Sequence, residues 1–191
     1  MKERIIQASV AEIKMRGLKF SIRDVAKRAG ISTKTLYQNI ESKEQIIGYI
    51  VEQSVSEMRH AEQLIINESS LSNMDKLHKT LALLPSRLVL HNVHFLEELK
   101  QRYPVQWAEV DHYIQNGWDN IRLLVEKGVR NGELREFDFE LFIQVYIGAF
   151  YRLMEHQYEV QDGLSLERAL GQMVDLLLVG ICKGNIDHGG K

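Results

Sequence analysis

"AGISTKTLYQNIESKEQ", residues 29–45, gathers a glycine turn, a run of short hydroxyl side chains, one tyrosine and two lysines into seventeen positions. A loop needs no Leu36 beside Tyr37, and a buried helix would not hold Ser32, Thr33, Lys34 and Thr35 in a row. The stretch reads as a short helix ending at Gly30 and a new one capped by Ser32. A third start follows, where Ser42 and Gln45 form a capping box. Ile31 is placed to staple onto Leu36. Upstream, Ser21 caps an earlier start, with Asp24 at its third position and Phe20 set to staple onto Val25. Two helices of only about seven residues lie between these starts, too short to stand alone. They must pack on one another, as in a helix-turn-helix, whose second helix enters the DNA major groove.

That placement explains the residue types. Unpaired N–H groups at a helix start, with the Ser32 and Thr33 hydroxyls, suit phosphate oxygens. Tyr37 lies one turn further on, and Lys43 brings a charge to the next helix start. Thr33, Lys34, Thr35, Gln38 and Asn39 are placed to face base edges: lysine favours guanine, glutamine and asparagine favour adenine, and a threonine methyl meets thymine.

Charge follows the same division. Residues 1–48 hold ten Lys/Arg against five Asp/Glu, whereas the remainder holds fourteen against twenty-one, within a total of −2. A basic first quarter on an acidic body points to a polyanionic partner for the first part alone. The 191 residues are 45% hydrophobic, enough for a sizeable core. A single cysteine, Cys182, excludes an intramolecular disulfide and fits a reducing cytosol. No apolar run approaches the roughly 20 residues of a membrane span, so a cytoplasmic, soluble protein is expected, with no membrane partner.

The chain reads as all-α, because strand-like alternation is almost absent and only two prolines occur. A first helix over Glu3–Arg16 is stopped by Gly17. From Ser42 a long helix carries Ile46, Ile47, Ile50, Ser54, Met58, Ala61 and Ile65 on one face, until "NESSLSN" breaks it. Further helices are expected over Met74–Leu84 and Ser86–Arg102, with Pro85 and Pro104 as punctuation. A stripe at steps of three and four then runs from Trp107 through Trp118 to Val129, ending at Asn131-Gly132. Asp138 caps the next helix and Ser165 the last. The resulting organisation is a helix-turn-helix domain over 1–48, a helical domain over 49–184 and a flexible tail over 185–191.

The stretch "RIIQASVAEIKMRGLKFSIRDVAKRAGISTKTLYQNIESKEQII" resembles the DNA-binding domain of the TetR family of bacterial transcriptional regulators. The likeness is near-continuous: a glycine-terminated first helix, Val-Ala-x-x-Ala-Gly-Ile-Ser, Leu-Tyr and Ser-Lys-Glu. Two positions depart, Ile13 and Ile40, where the family has phenylalanine; both are packing positions. The resemblance implies double-stranded DNA as partner, contacted by Arg23, Thr33, Lys34, Thr35, Tyr37, Gln38, Asn39 and Lys43. It also implies a larger effector-binding domain, a homodimer through the last two helices, and neither catalytic residues nor cofactor. "VEKGVRNGELREFDFELF" resembles a further family segment. Met58, Phe95, Trp107, Trp118, Tyr146 and Phe150 lie on helices that line the family's effector cavity. They would suit an apolar or aromatic molecule, although such stripes are more often plain core. In the final helix, Leu166, Ala169, Leu170, Met173, Val174, Leu177, Leu178 and Ile181 make a broad apolar stripe.

Other chemistry is weakly supported. His91, His94 and Glu97 or Glu98 share a helical face, and Glu109 and His112 stand three apart, but neither set completes a metal site. The competing reading is an all-α metal-binding or enzymatic bundle whose basic N-terminus is incidental.

Overall fold

Helices supply every long element of the computed structural model, which describes residues 1–84, 93–155 and 165–183; no strand occurs among them. Helix α1 (Lys2–Arg16) ends where Gly17 takes a φ of 61° and returns its N–H to the Ile13 carbonyl. A single 3-10 turn, Gly17–Lys19, leads into α2 (Ile22–Arg28). The Ser21 hydroxyl accepts from the Asp24 N–H, and the Asp24 carboxylate accepts from the Ser21 N–H, completing a capping box. Helix α3 (Thr33–Tyr37) begins under Ser32, whose hydroxyl accepts from the Thr35 N–H. Helix α4 (Lys43–Asn67) starts under Ser42, which accepts from the Gln45 N–H. The Gln45 side chain answers one residue earlier than a strict capping box would, accepting from the Glu41 N–H at 2.8 Å.

The remaining helices are α5 (Asn73–Leu81), α6 (Val93–Arg102), α7 (Pro104–Asn116), α8 (Asp119–Arg130), α9 (Phe139–Glu155) and α10 (Leu166–Ile181). Ser72 and Asp75 form a second full capping box at α5. Asp138 accepts from the Leu141 N–H at α9, and Ser165 accepts from the Arg168 N–H at α10. The caps read from the sequence are therefore present, because each leaves a helix start fewer unsatisfied donors.

Two compact units result. One comprises Met1–Met58 and Pro85–Tyr113; the other comprises Arg59–Leu84 and Ile114–Lys191. Helices α4 and α7 contribute residues to both. The boundary expected after residue 48 falls inside α4, and α6 with most of α7 belongs to the same unit as the N-terminal helices. In that unit Ile5, Ile13, Leu18, Phe20, Leu36, Ile40, Ile46 and Ile47 are buried to 1% exposure or less. Ile13 and Ile40 thus fill core sites without an aromatic ring. In the second unit α5 packs on α8 and α10, and α9 on α10.

Three element readings change. The stripe from Trp107 to Val129 is two helices, broken at Gly117-Trp118. There the Trp118 indole N–H donates to the Ile114 carbonyl at 2.8 Å, satisfying a group that the end of α7 leaves open. The helix expected over Met74–Leu84 begins one residue earlier and ends at Leu81. Of the helix expected over Ser86–Arg102, Val93–Arg102 is described; residues 85–92 and the tail at 185–191 lie outside the described residues.

Candidate nucleic-acid interface

Helix α3 is a five-residue ridge pinned from below. Leu36 is fully buried and Ile40 nearly so, while Thr33, Lys34, Tyr37, Gln38 and Asn39 are exposed. One apolar anchor per turn therefore turns the polar remainder outward. Tyr37, 55% exposed, is not a core residue despite its ring. The turn before α3 is a glycine because Gly30 has a φ of 62°, a region that side-chain-bearing residues rarely adopt.

Not every expected contact presents itself equally. Thr35 is half-buried, with its hydroxyl 2.9 Å from that of Ser32. The Asn39 side-chain amide donates to the Thr35 carbonyl at 2.8 Å, helping to close α3. Arg23 is exposed on α2. Lys43 departs most from expectation. Its ammonium donates to the Leu18 carbonyl at 2.6 Å and to the Phe20 carbonyl at 2.7 Å, and lies 4.3 Å from the Phe20 ring centre. Burial pushes its pKa down, with Glu44 opposing the shift. Of its three N–H donors two are committed inside the chain, which leaves one for a phosphate.

Charge between α1 and α2 is organised by an acid that sequence reasoning missed. Glu12, 4% exposed, accepts from Arg28 Nε at 2.6 Å and pairs with Arg16 Nε at 3.3 Å. Arg16 also stands 3.6 Å from Asp24, whose carboxyl is held below the usual range chiefly by its bond from the Ser21 hydroxyl. This network ties α1 to α2 and neutralises cations that the sequence would add to the basic surface. Its sequence signal was slight: one acid within an apolar helical face.

The six aromatic and methionine positions divide between the units. Phe95 and Trp107 are buried in the first, to which Met58 also belongs, half-buried. In the second, Trp118 meets Tyr146 edge-on at 5.0 Å between ring centres, and Tyr146 stacks on Phe150 at 6.3 Å. The Tyr146 hydroxyl donates to the Leu81 carbonyl at 2.6 Å. Beside Trp118 in sequence, the Asn120 amide donates at 3.1 Å to Glu62, a carboxyl 6% exposed whose pKa burial raises. Sequence reasoning missed Glu62; it sits next to Ala61 in the apolar stripe of α4.

Among the described residues no group of three His, Cys, Asp or Glu is placed to hold a metal ion. His91 and the His94 side chain lie outside them, and Glu109 and His112 are exposed on α7. No described helix is long and apolar enough to cross a membrane.

Known proteins give this geometry a setting. The family profile described as "Bacterial regulatory proteins, tetR family" matches residues 5–50. The chain is 30% identical over 181 residues, 95% of each protein, to an uncharacterized HTH-type transcriptional regulator, YvaF, of Bacillus subtilis (strain 168). The fold is similar to that of FadR from Bacillus subtilis, solved with stearoyl-CoA, at a TM-score of 0.66 and 19% identity, covering 95% of this chain and 100% of that one. It is also similar to a TetR/AcrR regulator from Thermobifida fusca YX-ER1, at a TM-score of 0.65 and 22% identity, covering 94% and 97%. An exposed polar ridge on a capped helix pair, matched over nearly its whole length to a regulator, leaves one conclusion: this chain is a DNA-binding member of the TetR family of bacterial transcriptional regulators.

Proposed function

We propose that the protein is a cytoplasmic, homodimeric repressor that holds a pseudo-palindromic operator and lets it go when a small apolar molecule binds. The observation that carries this reading is the outward polar face of α3 above fully buried Leu36. Thr33, Lys34, Tyr37 and Gln38 are the contacts favoured by exposure, with Arg23 on α2 and one remaining donor of Lys43 on backbone phosphates. Thr35 and Asn39 act mainly through the shape of α3.

Dimerisation is supported by surface that the subunit leaves uncovered. On α9, Leu141 and Val145 are exposed, with Gly148 on the same face; on α10, Leu176 and Val179 are exposed at 76% and 56%. Of the apolar stripe read from the sequence, Leu166, Ala169, Leu170, Val174, Leu178 and Ile181 are buried inside the subunit, while Met173 and Leu177 are half-buried. The surface offered to a second copy therefore joins Leu141, Val145, Leu176 and Val179 to the open sides of Met173 and Leu177, and it favours the two-fold pairing that sets two recognition helices one turn of DNA apart, about 34 Å. For the effector, the Trp118–Tyr146–Phe150 stack supplies aromatic surface, and Glu62 with Asn120 a polar group within the same unit. Met58, Phe95 and Trp107 are retained as candidates on their helices alone.

Selection of genomic fragments by the purified protein tests the reading. Enrichment of an inverted repeat, with binding that weakens steeply in salt, is the expected result. Indifference to every duplex at low salt would overturn it.

A further inference from the structure

Both polar groups of Leu18 are gripped by opposite charges from two helices. The Leu18 N–H donates at 2.9 Å to Glu98 Oε2 on α6, and the Leu18 carbonyl accepts at 2.6 Å from Lys43 Nζ at the start of α4. The same ammonium holds the Phe20 carbonyl. The φ of 61° at Gly17 favours glycine, and a Cβ there, 2.9 Å from Glu98 Oε2, would displace the end of that side chain from its seat. Leu18 itself is buried to 1% exposure, so the turn cannot slide without lifting a core side chain. Hydrogen bonds to ionised groups are the stronger kind, and here an anion meets an N–H while a cation meets C=O groups.

Position in the chain gives the clip its leverage. Phe20 is followed directly by Ser21, the cap of α2, and α2 packs on both α1 and α3. Whatever fixes residues 17–20 fixes where α2 begins, and through α2 the direction of α3. We propose that Glu98 is a positioning residue for DNA recognition, holding the recognition helix from α6 through the backbone of Leu18, with Lys43 closing the clip from α4. This rests on the DNA-binding reading above. It makes α6 a second lever on α3 besides the covalently continuous α4.

The test compares full-length wild type, Glu98→Ala and Glu98→Gln on the duplexes that wild type enriches from a random pool, with amide hydrogen exchange read at Leu18. Glutamine keeps a carbonyl oxygen able to accept the N–H, so it should rescue most of the function that alanine loses. Glu98→Ala is expected to bind about tenfold more weakly and to exchange the Leu18 amide faster, while protection in α5 and α8 stays as in wild type. Undiminished binding by Glu98→Ala would overturn the proposal, as would equal losses in both variants. Should alanine prevent folding, wild type still decides: a Leu18 amide exchanging at the rate of an unstructured peptide would mean that no carboxylate holds it. Failure of wild type to enrich any duplex sinks the parent reading and the positioning role with it; normal enrichment by Glu98→Ala sinks the positioning role alone.

Discussion

At the scale of single residues, exposure separates the side chains proposed to read DNA from those that shape the reader. Thr33 and Lys34 stand clear of the chain, so Thr33→Ala or Lys34→Ala should relax preference at individual base pairs by about 1–3 kcal/mol. Uniform loss across all sites, measured by repeating the fragment selection, would limit them to backbone contacts. Lys43 is a mixed case. Lys43→Ala should lower the salt slope of binding by about one unit. It should also destabilise the fold by about 1–3 kcal/mol, because two carbonyls lose a charged donor; salt titrations paired with urea melts check both. Glu62 gives a pH signature. Burial raises its folded pKa above the unfolded value, so between those two values the folded chain keeps a proton that the unfolded chain has shed. Stability from this group therefore falls as pH rises through that interval and stays lower above it. Glu62→Gln, which can still accept from Asn120, should be the more stable protein near neutral pH and lose that advantage in acid. A constant difference in melting temperature across pH would refute this.

Elements were legible where local chemistry alone decides them. Capping residues, staples and glycine stops mark α1 to α4 in the sequence because each acts within five residues of itself. The break between α7 and α8 was not legible, since Trp118 fits an apolar stripe whether or not its indole turns back onto Ile114. The uncovered face of α10 was hidden for a similar reason: Leu166 to Ile181 is apolar on so much of its circumference that sequence cannot say which leucines the subunit keeps. The charge of Lys43 was visible, but its partners lie 23 and 25 residues away. Anchorage of α3 is the element-level weak point. A helix of five residues has almost no intrinsic stability, so Leu36→Ala should cost about 2–5 kcal/mol and abolish duplex binding. Survival of binding at full affinity, read by anisotropy after thermal melts confirm the loss, would show that α3 is held by something other than its one buried leucine.

For the whole molecule, the basic first quarter is the part proposed to meet the polyanion, so a substitution far from it should act on binding only through assembly. Leu176→Glu adds charge where the subunit makes no use of the side chain. It should leave the monomer folded, shift sedimentation from dimer to monomer, and weaken operator binding through loss of the second half-site. An unchanged sedimentation profile would move the dimer contact elsewhere. Gly148 offers a finer gauge. Among the described residues, nothing beyond its own helical backbone lies within 4 Å of where a methyl would sit, so in a solitary subunit Gly148→Ala should gain about 1 kcal/mol of helix propensity. Pressed against a sister helix, the same methyl becomes a wedge. The sign of that single substitution, measured at dilute and concentrated protein, thus reports how closely two backbones approach.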